Sequence, residues 1–290
     1  MGQLQPGDPR DRPGDREGDP VRKKRIWLII VLLTVGLSVV SDTCADMGWE
    51  ETFFRANQAY REGHFQEAID GYLSLIRSGK EGGPVYYNLG NAYFKSNQLG
   101  RAIWAYERAL LLTPRDPDLR FNLSHAKDQI QDAIEDPRGA IEMIFFWLRS
   151  FSLRELFGGF AGLNLLFWSI LVVRFFNRSE WLYYLFLFVI SLWFIAGLSF
   201  GLKYYRISTD DRAVVLQKEV DILAGPDTAD TVLFKLHEGT VVHHERSEDG
   251  WSLIRVSEKN RGWTTAGAIG RISGEATLPD GEEGKVLSGG

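Results

Sequence analysis

The spacing of hydrophobic positions changes along this chain, and each change marks a different kind of element. From residue 49 to 136, apolar side chains recur every three or four positions, which predicts amphipathic helices. Two long apolar stretches follow, at 155–174 and 181–202, and each could cross a hydrocarbon layer of about 30 Å. From 211 to 272, short alternating runs separated by Gly, Pro, Asp and Asn predict strands. The pattern indicates a multidomain membrane protein with an all-α part, a two-helix membrane part and a small all-β part.

The chain begins with two segments that carry no predicted core. Residues 1–21 are rich in Pro, Gly, Asp and Arg, which predicts a disordered extension. Residues 22–45 have a basic start, an apolar run from 26 to 40 and small residues, Thr43 and Ala45, before a cleavage point, as secretory signal peptides do. The short apolar run favours cleavage, with an uncleaved anchor as the alternative. A start of translation at Val21 would account for the unusual extension.

The helical region contains two windows with the same pattern, 34 residues apart. The run Ala56-x3-Tyr60-x2-Gly63-x-Phe65-x2-Ala68-Ile69-x2-Tyr72 recurs as Gly90-x3-Phe94-x2-Asn97-x-Leu99-x2-Ala102-Ile103-x2-Tyr106. This pattern and period resemble the tetratricopeptide repeat, a pair of antiparallel helices. The resemblance implies a helical repeat domain over 49–136, in which a half repeat starting at Asp118 serves as a capping helix. Such domains bind other proteins.

In a tetratricopeptide domain, the first helix of each pair lines a concave face. Asparagine amides there could hold an extended peptide, because each offers a donor and an acceptor. The candidate peptide-binding residues are Asn57, Tyr60, Tyr87, Asn88, Asn91, Phe94 and Lys95. A clamp for C-terminal carboxylates needs lysines where Phe53 and Asp118 stand, so this ligand type is rejected. The alternative is that part of this set only packs or solvates the helices.

The membrane part is predicted to be a tight hairpin. An amphipathic helix at the interface is expected over 140–154, followed by transmembrane helices at 155–174 and 181–202. Because the link between them is short, both flanking domains must lie on one side of the membrane. A signal peptide puts that side in the periplasm of a bacterial inner-membrane protein, with Arg174 and Arg178 of the turn in the cytoplasm.

Both predicted spans carry small residues four positions apart. Gly158 and Gly162 open the first span, and Gly197 and Gly201 close the second. Small residues let helix backbones approach closely, so these glycines are predicted membrane-helix packing sites. They pack either the two spans on each other or the hairpin on a partner's membrane helix.

The C-terminal strands resemble the bacterial SH3-like (SH3b) domain. Six strands are predicted, at 213–216, 220–223, 232–236, 240–242, 251–256 and 262–264, and the resemblance rests on Gly225-Pro226, Leu236-x2-Gly239, Gly250-Trp251 and Gly262-Trp263. It implies a small barrel over 211–272, followed by a flexible tail at 273–290. Residues 221–223 depart from the family's Asn-Val-Arg, so its ligand mode is not transferred. Trp251 and Trp263 either close the core or stack on a sugar or peptide.

Charge and composition narrow the function classes. A net charge of −5 argues against a nucleic-acid partner. The five histidines show no metal-ligand spacing with each other or with Cys44. No phosphate loop, nucleophile elbow or paired carboxylates stand out, so neither an enzyme, a metal nor a cofactor is expected.

The order of segments resembles BatE-like proteins of the bacterial Bat aerotolerance family. The stretch from Asn88 to Pro117 is especially similar. The resemblance implies a complex with von Willebrand A-domain membrane proteins and a MoxR-type ATPase, linked to aerotolerance or envelope stress. We therefore expect a non-enzymatic inner-membrane adaptor. The alternatives are a cell-wall sensor whose SH3-like domain binds peptidoglycan and an accessory subunit of a wall hydrolase.

Overall fold

The computed structural model describes residues 48–132, 146–177, 179–257 and 260–274, all within one compact unit. The expected extension at 1–21 and signal peptide at 22–45 lie outside these residues. So do 133–136 of the repeat domain, 140–145 of the interfacial helix, Arg178 and the tail from 275 onward.

Five helices form the repeat region. They are α1 (Gly48–Glu62), α2 (Phe65–Arg77), α3 (Gly83–Lys95), α4 (Leu99–Leu112) and α5 (Pro117–Lys127). Helix α5 starts at Pro117 because the Asp116 side chain accepts hydrogen bonds from the backbone N–H groups of Asp118 and Leu119. The pairs α1–α2 and α3–α4 with the single α5 confirm the predicted repeat pattern.

Helices α3 and α4 cross at Gly90. A Cβ placed there would lie 2.5 Å from the Tyr106 ring, well inside contact distance. Tyr106 is itself only 2 % exposed, so its ring has no room to withdraw. Any side chain at Gly90 would push the two helices apart, which is why this position of the repeat is small.

Two long apolar helices follow the repeats. A single 3-10 turn (Phe146–Arg149) precedes α6 (Leu153–Phe176), and α7 (Glu180–Ser208) completes the hairpin. Both helices are long and apolar enough to cross a membrane. In the described part of the interfacial helix expected over 140–154, the structure has this 3-10 turn and the first residues of α6. Ser152 and Glu155 form a capping box that starts α6 instead.

Aromatic rings, not paired glycines, join α6 to α7. Phe160 lies against Phe200 and Trp193, and Phe167 lies against Trp193, with ring centroids 5.5–6.2 Å apart. Of the four glycines predicted to pack the helices, Gly197 alone has a close neighbour, because a Cβ there would lie 3.0 Å from Phe160. No described atom lies within 4 Å of a Cβ built at Gly158, Gly162 or Gly201. Among the described residues, the contact between the two helices is therefore made mainly by aromatic rings.

The hairpin is fastened to its flanking segments on one side. Trp147 donates its indole N–H to the Ser199 hydroxyl at 3.2 Å, and Lys203 donates to the backbone oxygen of Leu148 at 2.9 Å. Arg115, in the loop after α4, forms an ion pair with Glu155 in the first turn of α6. The end of the second helix pair is therefore held next to the start of the hairpin.

The C-terminal part is an antiparallel sheet of seven strands. They are β1 (Arg212–Val215), β2 (Glu219–Leu223), β3 (Val232–His237), β4 (Val241–Glu248), β5 (Trp251–Arg255), β6 (Arg261–Thr265) and β7 (Ile269–Arg271). The order across the sheet is β3-β2-β6-β5-β4-β1-β7. Six strands were predicted, and β7 was missed because it is short and exists through its pairing with β1.

The sheet and the repeats share one hydrophobic core. Val214, Leu216 and Ile272 of the sheet region belong to the same buried cluster as Ile103 and Trp104 of α4. A separate small core lies on the other side of the sheet, around Ile222 and Ile254. The repeats and the sheet, expected as separate domains, therefore pack on each other.

Candidate functional site: the concave face of the repeats

The concave face is the surface formed by α1, α3 and α5, and hydrogen bonds cross it in a repeating ladder. In the first repeat, the Asn57 Oδ1 accepts from the Tyr72 hydroxyl at 2.7 Å and from the Asn88 Nδ2 at 2.8 Å. Tyr72 belongs to α2 and Asn88 to α3, so one amide oxygen joins three helices.

The second repeat has the same arrangement 34 residues later. The Asn91 Oδ1 accepts from the Tyr106 hydroxyl at 2.7 Å and from the Asn122 Nδ2 at 2.9 Å. Burial raises the pKa of both Tyr72 and Tyr106, so their hydroxyls remain protonated donors. The ladder explains why these positions repeat as Asn and Tyr.

This geometry changes the role predicted for the asparagines. The side-chain oxygens of Asn57 and Asn91 are already used within the repeats, so they are not available to a peptide N–H. Their Nδ2 groups have no hydrogen-bond partner among the described residues, and both side chains are only half-buried. The asparagines are therefore structural through their oxygens and can donate to a ligand through their nitrogens.

The predicted residues of the first repeat surround one open pocket. Its volume is about 260 Å³, and its lining consists of Phe53, Asn57, Tyr60, Arg61, Tyr72, Asn88 and Asn91. Burial raises the pKa of Tyr60, and Tyr87 nearby adds to the shift, so the Tyr60 hydroxyl is neutral at physiological pH. The pocket combines neutral hydrogen-bonding groups with aromatic rings and one exposed cation.

The second half of the concave face is more apolar. Tyr87 lies against Tyr106, and Phe94 lies 5.6 Å from the His125 ring. The His125 ring also stacks on Phe121, which is 71 % exposed. Lys95 is exposed at the end of α3. These contacts join Phe94 of the predicted set to His125 and Phe121, which the 34-residue period also puts on this face.

The opposite face of the second repeat is covered by the sheet. Trp104 is fully buried and donates its indole N–H to the backbone oxygen of Arg271 at 2.9 Å. Arg108 donates to the backbone oxygen of Gly274 at 2.9 Å and lies over the rings of Tyr86 and Trp104. Sequence reasoning missed this contact. The sequence signal was the run of five consecutive apolar residues at 102–106, because a helix with one exposed side should be interrupted there by polar residues.

Polar side chains also join the repeats to the sheet beyond α4. Glu107 is buried and pairs with Lys127 of α5 and Arg212 of β1. Asp132 accepts hydrogen bonds from the His237 backbone N–H at 2.8 Å and from the Thr240 hydroxyl at 2.7 Å. Burial of Asp132 opposes its ionisation, but these hydrogen bonds outweigh burial and lower its pKa.

The two tryptophans of the sheet differ in exposure. Trp263 is 7 % exposed, and the Arg246 guanidinium lies over its ring at 5.1 Å. Trp251 is half-buried. His243 and His244 have separate partners, Asp211 and Ser247. Among the described residues, no group of three His, Cys, Asp or Glu side chains could hold a metal ion.

Comparison with known proteins supports the helical part. A family model described as TPR repeat matches residues 90–129, which cover the end of α3 and all of α4 and α5. No curated protein matches the chain. The matched segment includes half of the Asn–Tyr ladder, and the first repeat reproduces that ladder outside the match. A TPR repeat suggests a scaffold for protein–protein interaction.

Proposed function

We propose that this protein is a non-enzymatic membrane adaptor that binds a segment of a partner protein on the concave face of its repeats. The observation that carries the proposal is the contrast between the two faces. The sheet covers the opposite face through Trp104 and Arg108, whereas the concave face keeps an open pocket and the exposed ring of Phe121. Exposed aromatic residues beside unused hydrogen-bond donors are typical of binding surfaces.

The hairpin supports a location in the bacterial inner membrane, with repeats and sheet in the periplasm. The Arg115–Glu155 ion pair and the Lys203–Leu148 hydrogen bond hold both flanking regions next to the same end of the hairpin. With the expected signal peptide, that end faces away from the cytosol.

The segment order supports a Bat-type complex in aerotolerance or envelope stress. In this proposal the partners are von Willebrand A-domain membrane proteins and a MoxR-type ATPase, and the sheet is an SH3-like domain. The sheet serves mainly to hold the repeats, which is consistent with the burial of Trp263.

Site-specific photocrosslinking in native membranes tests the proposal. A photoreactive residue is placed at Phe121 on the concave face, at Leu233 on the exposed part of β3, or at Gln66 on α2 as a control. The adaptor proposal expects a discrete protein adduct from position 121 alone. Adducts to peptidoglycan fragments from position 233, with none from 121, would favour the cell-wall sensor instead.

A further inference from the structure

The 34-residue period arranges the concave face in rows of equivalent side chains. One row is aromatic, with Phe53, Tyr87 and Phe121. The next provides amide donors, Asn57 and Asn91. A third row is basic, with Arg61 and Lys95. A ligand that crosses the helices therefore meets the same three kinds of group at each repeat.

The basic row has no carboxylate partner. Neither Arg61 nor Lys95 forms an ion pair within the described part of the chain, and both side chains are exposed. The Arg61 guanidinium lies over the exposed Phe54 ring at 6.0 Å. The nearest carboxylates in sequence, Glu62 and Glu67, lie within 3.8 Å of His64 instead. Two unpaired cations in equivalent positions of one face attract an acidic ligand.

The acidic groups of this face lie at the other end of the helices. Glu50 is in the first turn of α1 and Asp118 in the first turn of α5. Arg61 lies eleven positions after Glu50 on the same helix, which corresponds to about 16 Å. Arg61 and Lys95 therefore lie at the edge of the concave face far from Glu50 and Asp118. The acidic side chains of a ligand belong at the edge of Arg61 and Lys95.

The distance between neighbouring repeats determines how far apart the acidic residues of the ligand must lie along its chain. The Asn88–Asn57 hydrogen bond at 2.8 Å joins α3 directly to α1, and the axes of neighbouring helices lie about 8–10 Å apart. In a polyproline-II-like chain, residues three apart lie on the same side at about 9 Å. Carbonyl groups of such a chain can accept from the Nδ2 groups of Asn57 and Asn91, which have no other partner among the described residues.

We propose that the partner segment is an internal, extended stretch with acidic residues three positions apart, which pair with Arg61 and Lys95. Apolar side chains between the acids contact Phe53, Tyr87 and Phe121. A free C-terminus is not required, because the ligand's charges are side chains. This inference rests on the proposed function and adds the chemistry of the partner.

A display selection on the full chain in lipid nanodiscs tests this inference. The probe is a random ten-residue library held between constant segments, so that no peptide has a free C-terminus. The wild type is compared with R61E/K95E and with a control, Arg55→Glu, on the opposite side of α1. Arg55 is exposed and, among the described residues, its ion-pair partner is Glu51, so its reversal changes the net charge without changing the concave face.

The wild type and R55E are expected to enrich sequences with acidic residues three positions apart. R61E/K95E is expected to bind these sequences at least about tenfold more weakly than the wild type does. Enriched peptides that lack an acidic excess, yet lose binding in Phe121→Ala, would overturn the inference and leave the proposed function standing. Peptides whose binding ignores all these substitutions, or no enrichment at all, would overturn both.

Discussion

Trp104 and Arg271 are joined by a 2.9 Å hydrogen bond across 167 residues of sequence. The donor lies on a repeat helix and the acceptor is a backbone oxygen of β7. This contact makes the repeats and the sheet one folded unit, so a change at Trp104 should affect both.

Replacing Trp104 should destabilise the whole unit. Trp104→Ala removes a fully buried side chain, at a cost of about 3–5 kcal/mol. Trp104→Phe keeps most of the packing but removes the shorter of two hydrogen bonds to the Arg271 oxygen and leaves the one from Arg108 at 3.4 Å, at a cost of about 1 kcal/mol. Urea unfolding of the full chain in detergent measures both. Trp49→Phe, at a position 37 % exposed, is the control, and wild-type stability in Trp104→Phe would contradict the prediction.

Gly100 and Gly158 form a matched pair of helical glycines. A Cβ at Gly100 would lie 2.3 Å from the backbone oxygen of Val215, whereas a Cβ at Gly158 meets no described atom within 4 Å. Gly100→Ala should destabilise the protein by about 1–3 kcal/mol despite the better helix propensity of alanine. Gly158→Ala should be neutral or slightly stabilising. Thermal unfolding measures the stability of both variants. Equal changes in unfolding temperature would show that α4 is not closely packed against β1 at Gly100.

The contact of Asp132 with His237 and Thr240 should depend on pH. Because hydrogen bonds lower the pKa of Asp132 in the folded state, its contribution is present above the unfolded-state pKa and is lost as the pH falls below about 4. The urea concentration at the unfolding midpoint is measured from pH 7 down to pH 3. Its decrease at the acidic end should be smaller in Asp132→Asn than in the wild type. Asp128→Asn, at an exposed position nearby, should keep the wild-type slope. Identical slopes in the wild type and Asp132→Asn would show that Asp132 does not contribute to the pH dependence of stability.

The Asn–Tyr ladder should behave alike in both repeats. Asn91→Ala leaves the Tyr106 hydroxyl without its acceptor and leaves the Asn122 amide with only the Tyr87 hydroxyl as acceptor among the described residues, at a cost of about 1–3 kcal/mol. Tyr106→Phe should cost less, and the double variant should cost less than the sum. A double-mutant cycle measures this coupling. Asn57 and Tyr72 should give a matching cycle, and additive effects in either repeat would argue against a shared hydrogen bond.

Labelling of single cysteines tests the membrane arrangement. After Cys44→Ser, single cysteines at Ser124, Asn177 and Ala229 report on the repeats, the hairpin turn and the sheet; all three positions are exposed. In intact spheroplasts, an impermeant maleimide should label positions 124 and 229, and position 177 only after permeabilisation. Labels at 124 and 229 on opposite sides would rule out the hairpin topology.

Much of the concave face could be predicted from the sequence, because its residues lie on α1 and α3 at a fixed period. Asn57, Tyr60 and Asn91 fall on one side of their helices by local geometry alone. Their hydrogen bonds could not be predicted, because the partners Tyr72 and Asn88 come from other helices. Gly158 has no close neighbour on the facing helix for a similar reason, since rings from both helices make the contact, and its packing on a partner's membrane helix stays a prediction.

The sequence by itself determined the kinds of element, because helix, span and strand each impose a local period on apolar residues. Only the tertiary structure decided that α4 is buried on both sides, that β7 pairs with β1, and that Asp132 reaches the sheet. Those contacts join residues between 54 and 167 positions apart. No local pattern encodes them, since they depend on how the folded surfaces fit together.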